Sequence, residues 1–257
     1  MIEITPVVEF YITNECNLSC NNCNRYNDFD FKGHYYWEDY ADTIRAWSKR
    51  IRLKEITIIG GEPTRHPELE TWMKNLRLCW PDSNIIVQTN GVNTMWRDQM
   101  RHWKTYRIAF AVAVHDPKMK SKLKAQWEPN RDYDLAVFDA DKFTEAAVKK
   151  VNGKLTVHRS DPSKAFDSCS MNRSHTMFKG RLYKCPMVAV LPEFRQQYSV
   201  DLAPDQEQLL GAYQPLDVDC PDEDLVKFVE TQNTHHSQCA LCPEQGVWTP
   251  VVQQRKK

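Results

Sequence analysis

Apolar positions in the first 160 residues follow two rhythms. Short β-branched runs, Val7 to Ile12, Glu55 to Ile59, Asn84 to Gln88, Ile108 to Val114 and Lys154 to His158, read as buried strands. Between them, apolar residues three and four apart mark helices over Trp37 to Arg50, Glu68 to Leu78, Asn93 to Trp103 and Ala140 to Val151. Strands alternating with helices predict an α/β fold whose parallel sheet is joined by helical crossovers. Residues that act on a ligand then belong just past the carboxyl ends of the strands.

Beyond Asp161-Pro162 the helical rhythm fades and proline becomes more frequent, which divides the chain into a core, 1–160, and a smaller module, 161–257. That module opens with Cys169 and Cys185 in a C-x10-G-x4-C spacing. Two short runs, Thr176 to Lys179 and Arg181 to Lys184, flank Gly180 as a hairpin does and bring the two cysteines together. Cys239 and Cys242 add a C-x2-C pair.

Two stretches at strand ends carry chemistry. Past the first strand, Cys16, Cys20 and Cys23 stand in a C-x3-C-x2-C spacing, three thiolates that can converge on one metal site. A lone zinc ion wants a fourth ligand, whereas a [4Fe–4S] cube held by three cysteines keeps one iron open. Past the second strand comes Gly60-Gly61-Glu62-Pro63, where paired glycines admit a close approach that a Cβ would block.

Together these motifs resemble the radical S-adenosylmethionine (SAM) superfamily. The resemblance implies a partial (β/α)6 TIM-like barrel, with SAM chelated by the open iron of the cluster on Cys16, Cys20 and Cys23. It also implies that Gly60, Gly61, Glu62 and Pro63 bind the SAM amino group, and that Thr89 and Asn90, in the Thr-Asn-Gly turn ending the third strand, reach its ribose or carboxylate. An ordinary Asn-Gly turn is the other reading of that last segment. Relatives carry an aromatic residue before the last cysteine, against adenine; here the position is Asn22, and Tyr26 or Phe29 is expected to substitute. His115, at the end of the fourth strand, and His158 and Arg159, at the end of the next, are candidate catalytic or substrate-binding residues, with solvated or structural roles as the alternative.

Cys169, Cys185, Cys239 and Cys242 resemble the twitch/SPASM-like cysteine-rich domain that follows some cores of this superfamily. The arrangement is similar in size and order to dehydrogenases of the 2-deoxy-scyllo-inosamine type. In that reading the four hold an auxiliary [4Fe–4S] cluster; a four-cysteine zinc site is the alternative. Cys220 is a spare ligand for that set and Cys79 a small hydrophobe on a helix face. His235-His236 reads as an exposed polar stretch, with metal ligation beside the C-x2-C pair as the alternative.

Composition constrains the remaining choices. The chain has 257 residues, 41% of them apolar, and its 34 basic side chains balance 34 acidic ones, so no global field draws it to nucleic acid. Lys118, Lys120, Lys122 and Lys124, and the basic run 255–257, read as solvated charge. Residues 1–6 carry no basic and apolar signal, no run approaches eighteen apolar residues, and nine cysteines suit metal ligation in a reducing compartment; the expected location is the cytoplasm. The family resemblance implies reductive cleavage of SAM to a 5′-deoxyadenosyl radical that takes hydrogen from a small-molecule substrate. A two-electron oxidation follows, with the auxiliary cluster as electron acceptor and flavodoxin or ferredoxin as external donor. A maturase acting on a ribosomally made peptide and a non-catalytic zinc scaffold are the alternatives.

Overall fold

The computed structural model describes residues 1–93, 104–127 and 135–255. Its centre is a seven-stranded sheet. In chain order the strands are β1 (Val7–Tyr11), β2 (Glu55–Ile59), β3 (Asn84–Thr89), β4 (Ile108–Val114), β5 (Leu135–Asp139), β6 (Ser174–Phe178) and β7 (Arg181–Tyr183). Their order across the sheet is β7-β6-β1-β2-β3-β4-β5, parallel throughout except for the β6–β7 hairpin.

Helices α1 (Trp37–Arg50), α2 (Leu69–Cys79) and α3 (Lys120–Trp127) supply crossovers, while α4 (Pro186–Gln197) follows the hairpin. Acidic residues in the first turn of α1 (Glu38, Asp39) and basic ones in its last (Lys49, Arg50) complement the helix dipole. Strand alternation sorts β1: Val8 and Phe10 join a core with Trp37, Ile44, Trp47 and Trp72, whereas Tyr11 joins a second core with Tyr35, Phe178 and Phe194. Glu9 shares the Tyr11 side and is buried there.

Two expected elements differ. The helix over Ala140 to Val151 is instead two strands, Lys142–Phe143 and Val148–Val151, the second forming an antiparallel hairpin with Lys154–Val157. Asn152 and Gly153 make the turn at φ of 50° and 83°, a conformation that Asn and Gly tolerate and that suits a two-residue hairpin. Lys154–Val157 therefore lies outside the central sheet, beside Val200–Asp201, and the fifth place belongs to β5. The helix expected over Asn93 to Trp103 lies, beyond residue 93, outside the described residues. The expected Gly180 hairpin forms, and its β6 hydrogen-bonds alongside β1, so residues after 161 extend the central sheet. Among the described residues no helix is long and apolar enough to cross a membrane.

Candidate active site

The segment following β1 runs between two walls. On one side Gly61 N–H donates to Thr13 O (2.7 Å) and Glu62 N–H to Glu15 O (2.7 Å); on the other Asn14 N–H donates to Gly33 O (2.8 Å). A Cβ on Gly60 would lie 2.3 Å from Thr13 O, and one on Gly61 would lie 2.4 Å from Glu15 O. The paired glycines thus admit the backbone of the cysteine loop itself, a close approach within the chain. Cys20 ends the short strand Leu18–Cys20, and Asn22 turns the loop through φ 58°.

Cys16, Cys20 and Cys23 open on one cavity of about 550 Å³, whose walls include Gly60, Gly61, Thr89, Asn90 and His115. Burial pushes the Cys16 and Cys23 thiols up, and for Cys16 the nearby Glu62 carboxylate adds to it. Thiols raised in this way give up their protons to a bound cationic group more readily than to bulk water. Among the described residues no three His, Cys, Asp or Glu side chains are close enough to grip a single ion. The three thiols do line one cavity, and a [4Fe–4S] group in which each thiolate takes its own iron would use all three.

Glu62 is 1% exposed and does not line the cavity. One carboxylate oxygen accepts from Thr64 N–H (3.1 Å), Thr64 Oγ1 (2.6 Å) and Thr89 Oγ1 (2.6 Å), the other from Asn90 N–H (2.7 Å). Burial raises its pKa, and these donors oppose the rise. Pro63 begins the 3-10 turn Pro63–Arg65. Asn90 Nδ2 donates to Asn17 Oδ1 (2.7 Å) and approaches Cys16 Sγ (3.8 Å). The glycine turn, the Thr-Asn-Gly turn and the cysteine loop are therefore one hydrogen-bonded assembly.

Of the three candidate catalytic residues, His115 lines the cavity. Its Nδ1–H donates to Ala140 O (3.0 Å), its ring meets Phe143, and burial lowers its pKa, so it stands neutral with Nε2 as acceptor. His158 and Arg159 stand elsewhere: His158 Nε2 faces Ala146 O (3.0 Å), and Arg159 forms an exposed ion pair with Asp205. Tyr26 and Phe29, expected near adenine, pack on Phe194 away from the cavity.

The sequence reading missed Glu9 and Arg25, which line the same cavity. Arg25 Nη2 donates to Glu9 Oε2 in a buried ion pair, and Arg25 lies 5.7 Å from the Tyr11 ring centre. Burial raises the Glu9 pKa against the pull of Arg25. A lone carboxylate at every-other phase inside an apolar strand was the available signal.

Cys169, Cys185, Cys239 and Cys242 share a second, smaller cavity of about 90 Å³. Burial, then the sulfurs of Cys185, Cys169 and Cys239, push the Cys242 thiol well up, and burial takes Cys185 up to about 12. His236 Nε2 lies 3.7 Å from Cys185 Sγ, so His236 is drawn to the thiols while His235 stays exposed. Cys220 is not near them; it sits 3.7 Å from Arg50 Nη1 and packs, like Cys79, against the helix-side core.

A profile of the family described as the radical SAM superfamily matches residues 10–153. Over 80 residues the chain is 31% identical to the "Probable GTP 3′,8-cyclase" of Pyrococcus horikoshii, a stretch covering 31% of this chain and 25% of that protein. Over 122 residues it is 25% identical to GTP 3′,8-cyclase of Aquifex aeolicus, covering 46% and 38%. The chain thus matches well under half the length of these curated relatives. The crystal structure of BtrN in complex with AdoMet and 2-DOIA superposes with a TM-score of 0.53 at 16% identity, covering 96% of this chain and 98% of that one. The likeness is one of fold.

Proposed function

This chain belongs to the radical SAM superfamily, and we propose that it is an oxidoreductase acting on a small molecule. The observation that carries the reading is the shared cavity, where three cysteine thiols meet the Gly60-Gly61 turn and the Asn90 turn. Cys16, Cys20 and Cys23 would hold a [4Fe–4S] cluster, with SAM bound between it and the Gly60 to Pro63 and Thr89-Asn90 turns. That pair supplies, when bound and reduced by an external donor such as flavodoxin or ferredoxin, a 5′-deoxyadenosyl radical able to remove an unactivated hydrogen.

The protein's own residues do the rest. Glu62 holds the two turns in register. His115, which lines the cavity with its Nδ1–H bonded to Ala140 O, would take a proton from a bound alcohol at Nε2. Glu9, fixed by Arg25, gives the cavity wall a carboxylate that can accept hydrogen bonds from hydroxyl or amino groups. The cavity, about 550 Å³, is in the range of small-molecule sites.

In the same reading, Cys169, Cys185, Cys239 and Cys242 in residues 161–257 would hold an auxiliary [4Fe–4S] cluster of the twitch/SPASM kind, a group that could accept an electron from the oxidation. Iron and sulfide analysis of anaerobically reconstituted protein tests both sets. The expected content is about eight irons per chain, falling to about four in Cys169→Ala/Cys185→Ala and in Cys16→Ala/Cys20→Ala. One zinc in place of four irons would keep the radical core and remove the internal electron acceptor.

A further inference from the structure

The segment 247–255 joins two places that the sheet leaves apart. Thr249–Pro250 pairs with Lys142–Phe143, just past β5, and Gln253–Arg255 pairs with Leu18–Cys20, in the cysteine loop past β1. Side chains fasten the same span. Asn22 Nδ2 donates to Thr249 Oγ1 (3.1 Å), Thr249 Oγ1 donates to Phe143 O (3.2 Å), and Asn21 N–H donates to Val252 O (3.1 Å). The segment is therefore a strap between the first and last strands of the run β1 to β5, resting on the loop that bears Cys20 and Cys23.

Trp248 sits at one end of that strap. It lines the large cavity and is 56% exposed, a large flat indole that other side chains leave largely uncovered. The two aromatic residues nearest in sequence to the cysteines cannot serve there, because Tyr26 and Phe29 are committed to the packing around Phe194. Phe143, another wall residue, is engaged by the His115 ring. Phe138 also lines the cavity and is 40% exposed, but Trp248 exposes more of a larger ring and is the neighbour of Thr249, which the cysteine loop holds through Asn22.

We propose that Trp248 is a SAM-binding residue whose indole face packs against the adenine. The assignment rests on the reading that this cavity holds SAM. Of the parts of SAM, the methionine end is charged and the ribose is hydroxylated; adenine alone offers a flat uncharged face for an exposed indole to cover. Asn22, within the cysteine loop, contributes by tethering Thr249, the neighbour of Trp248, so loop and strap position the aromatic face together.

Equilibrium dialysis of labelled SAM against the full reconstituted protein, wild type, Trp248→Ala and Trp248→Phe, tests this without reading turnover. L-methionine, which lacks adenine, serves as a second probe. Trp248→Ala is expected to weaken SAM roughly tenfold or more and to leave methionine unchanged, with Trp248→Phe recovering most of the loss. Equal SAM affinity in wild type and Trp248→Ala would overturn the assignment, as would a parallel loss of SAM and methionine. Wild-type protein that binds no SAM at all would remove the reading of the cavity and the assignment with it.

Discussion

Glu62 accepts the backbone N–H of Asn90 at 2.7 Å, and through this one contact the turn ending β2 is locked to the turn ending β3. The carboxylate is a fastener between two cavity walls, held on both oxygens by protein donors. The walls that meet there face the three thiols of the cysteine loop, so errors in any one strand end reach the others.

Gly60 is the tightest point of that assembly. In Gly60→Ala the new methyl group meets Thr13 O, a backbone atom that cannot move without shifting the cysteine loop. The expected cost is about 1–3 kcal/mol in urea unfolding, together with reduced iron uptake on reconstitution. Iron uptake at the wild-type level would show that the loop accommodates the methyl.

The Arg25–Glu9 pair is buried, and its members are not equivalent to substitute. Arg25→Met strands the Glu9 carboxylate and should destabilise the fold by about 3–5 kcal/mol, whereas Glu9→Leu/Arg25→Met, which removes both charges, should recover much of it. A double-mutant cycle by urea denaturation measures the difference. Additive single effects would mean that the pair is not coupled.

His66 ties the Gly-Gly-Glu-Pro region to the end of the cysteine-loop excursion: its Nε2–H donates to Tyr35 O (2.9 Å) and its Nδ1 accepts from Glu68 N–H (3.0 Å). Burial lowers its pKa from 6.5 to about 4. Because the folded value is the lower one, the unfolded chain binds the proton first. The contribution is full above pH 6.5 and is lost as pH falls toward 4, by up to roughly 3 kcal/mol. In a series of urea titrations across that window, His66→Gln should show a shallower loss than wild type. An identical slope would place the titration elsewhere.

The two thiol sets should separate in function. Cys239→Ala is expected to retain SAM cleavage and lose oxidised product, since its set lies in the second cavity, apart from the Gly60-Gly61 turn. Full turnover in Cys239→Ala, measured once a substrate is in hand, would exclude an electron-acceptor role.

The strands β1 to β4 were legible because buried parallel strands are continuous β-branched runs, and Trp37–Arg50 because its apolar face repeats at helical spacing. The stretch 140–151 was misread because Ala146, Ala147, Lys149 and Lys150 favour helix locally, while the Val-Asn-Gly-Lys turn that commits it to a hairpin lies at its very end. In the site, the cysteine loop and the glycine turn could be seen as local motifs. The reach of Arg25 to Glu9, the approach of His236 to Cys185 and the pairing of 253–255 with 18–20 are contacts between distant segments, and no local rhythm announces them.

The central claim is that the cavity of Cys16, Cys20 and Cys23 supports reductive cleavage of SAM. Anaerobically reconstituted protein, given SAM and dithionite, should yield 5′-deoxyadenosine and methionine in equal amounts, and Cys16→Ala should yield neither. Iron-loaded wild-type protein that produces no 5′-deoxyadenosine, or a Cys16→Ala variant that produces it at the wild-type rate, would contradict the account.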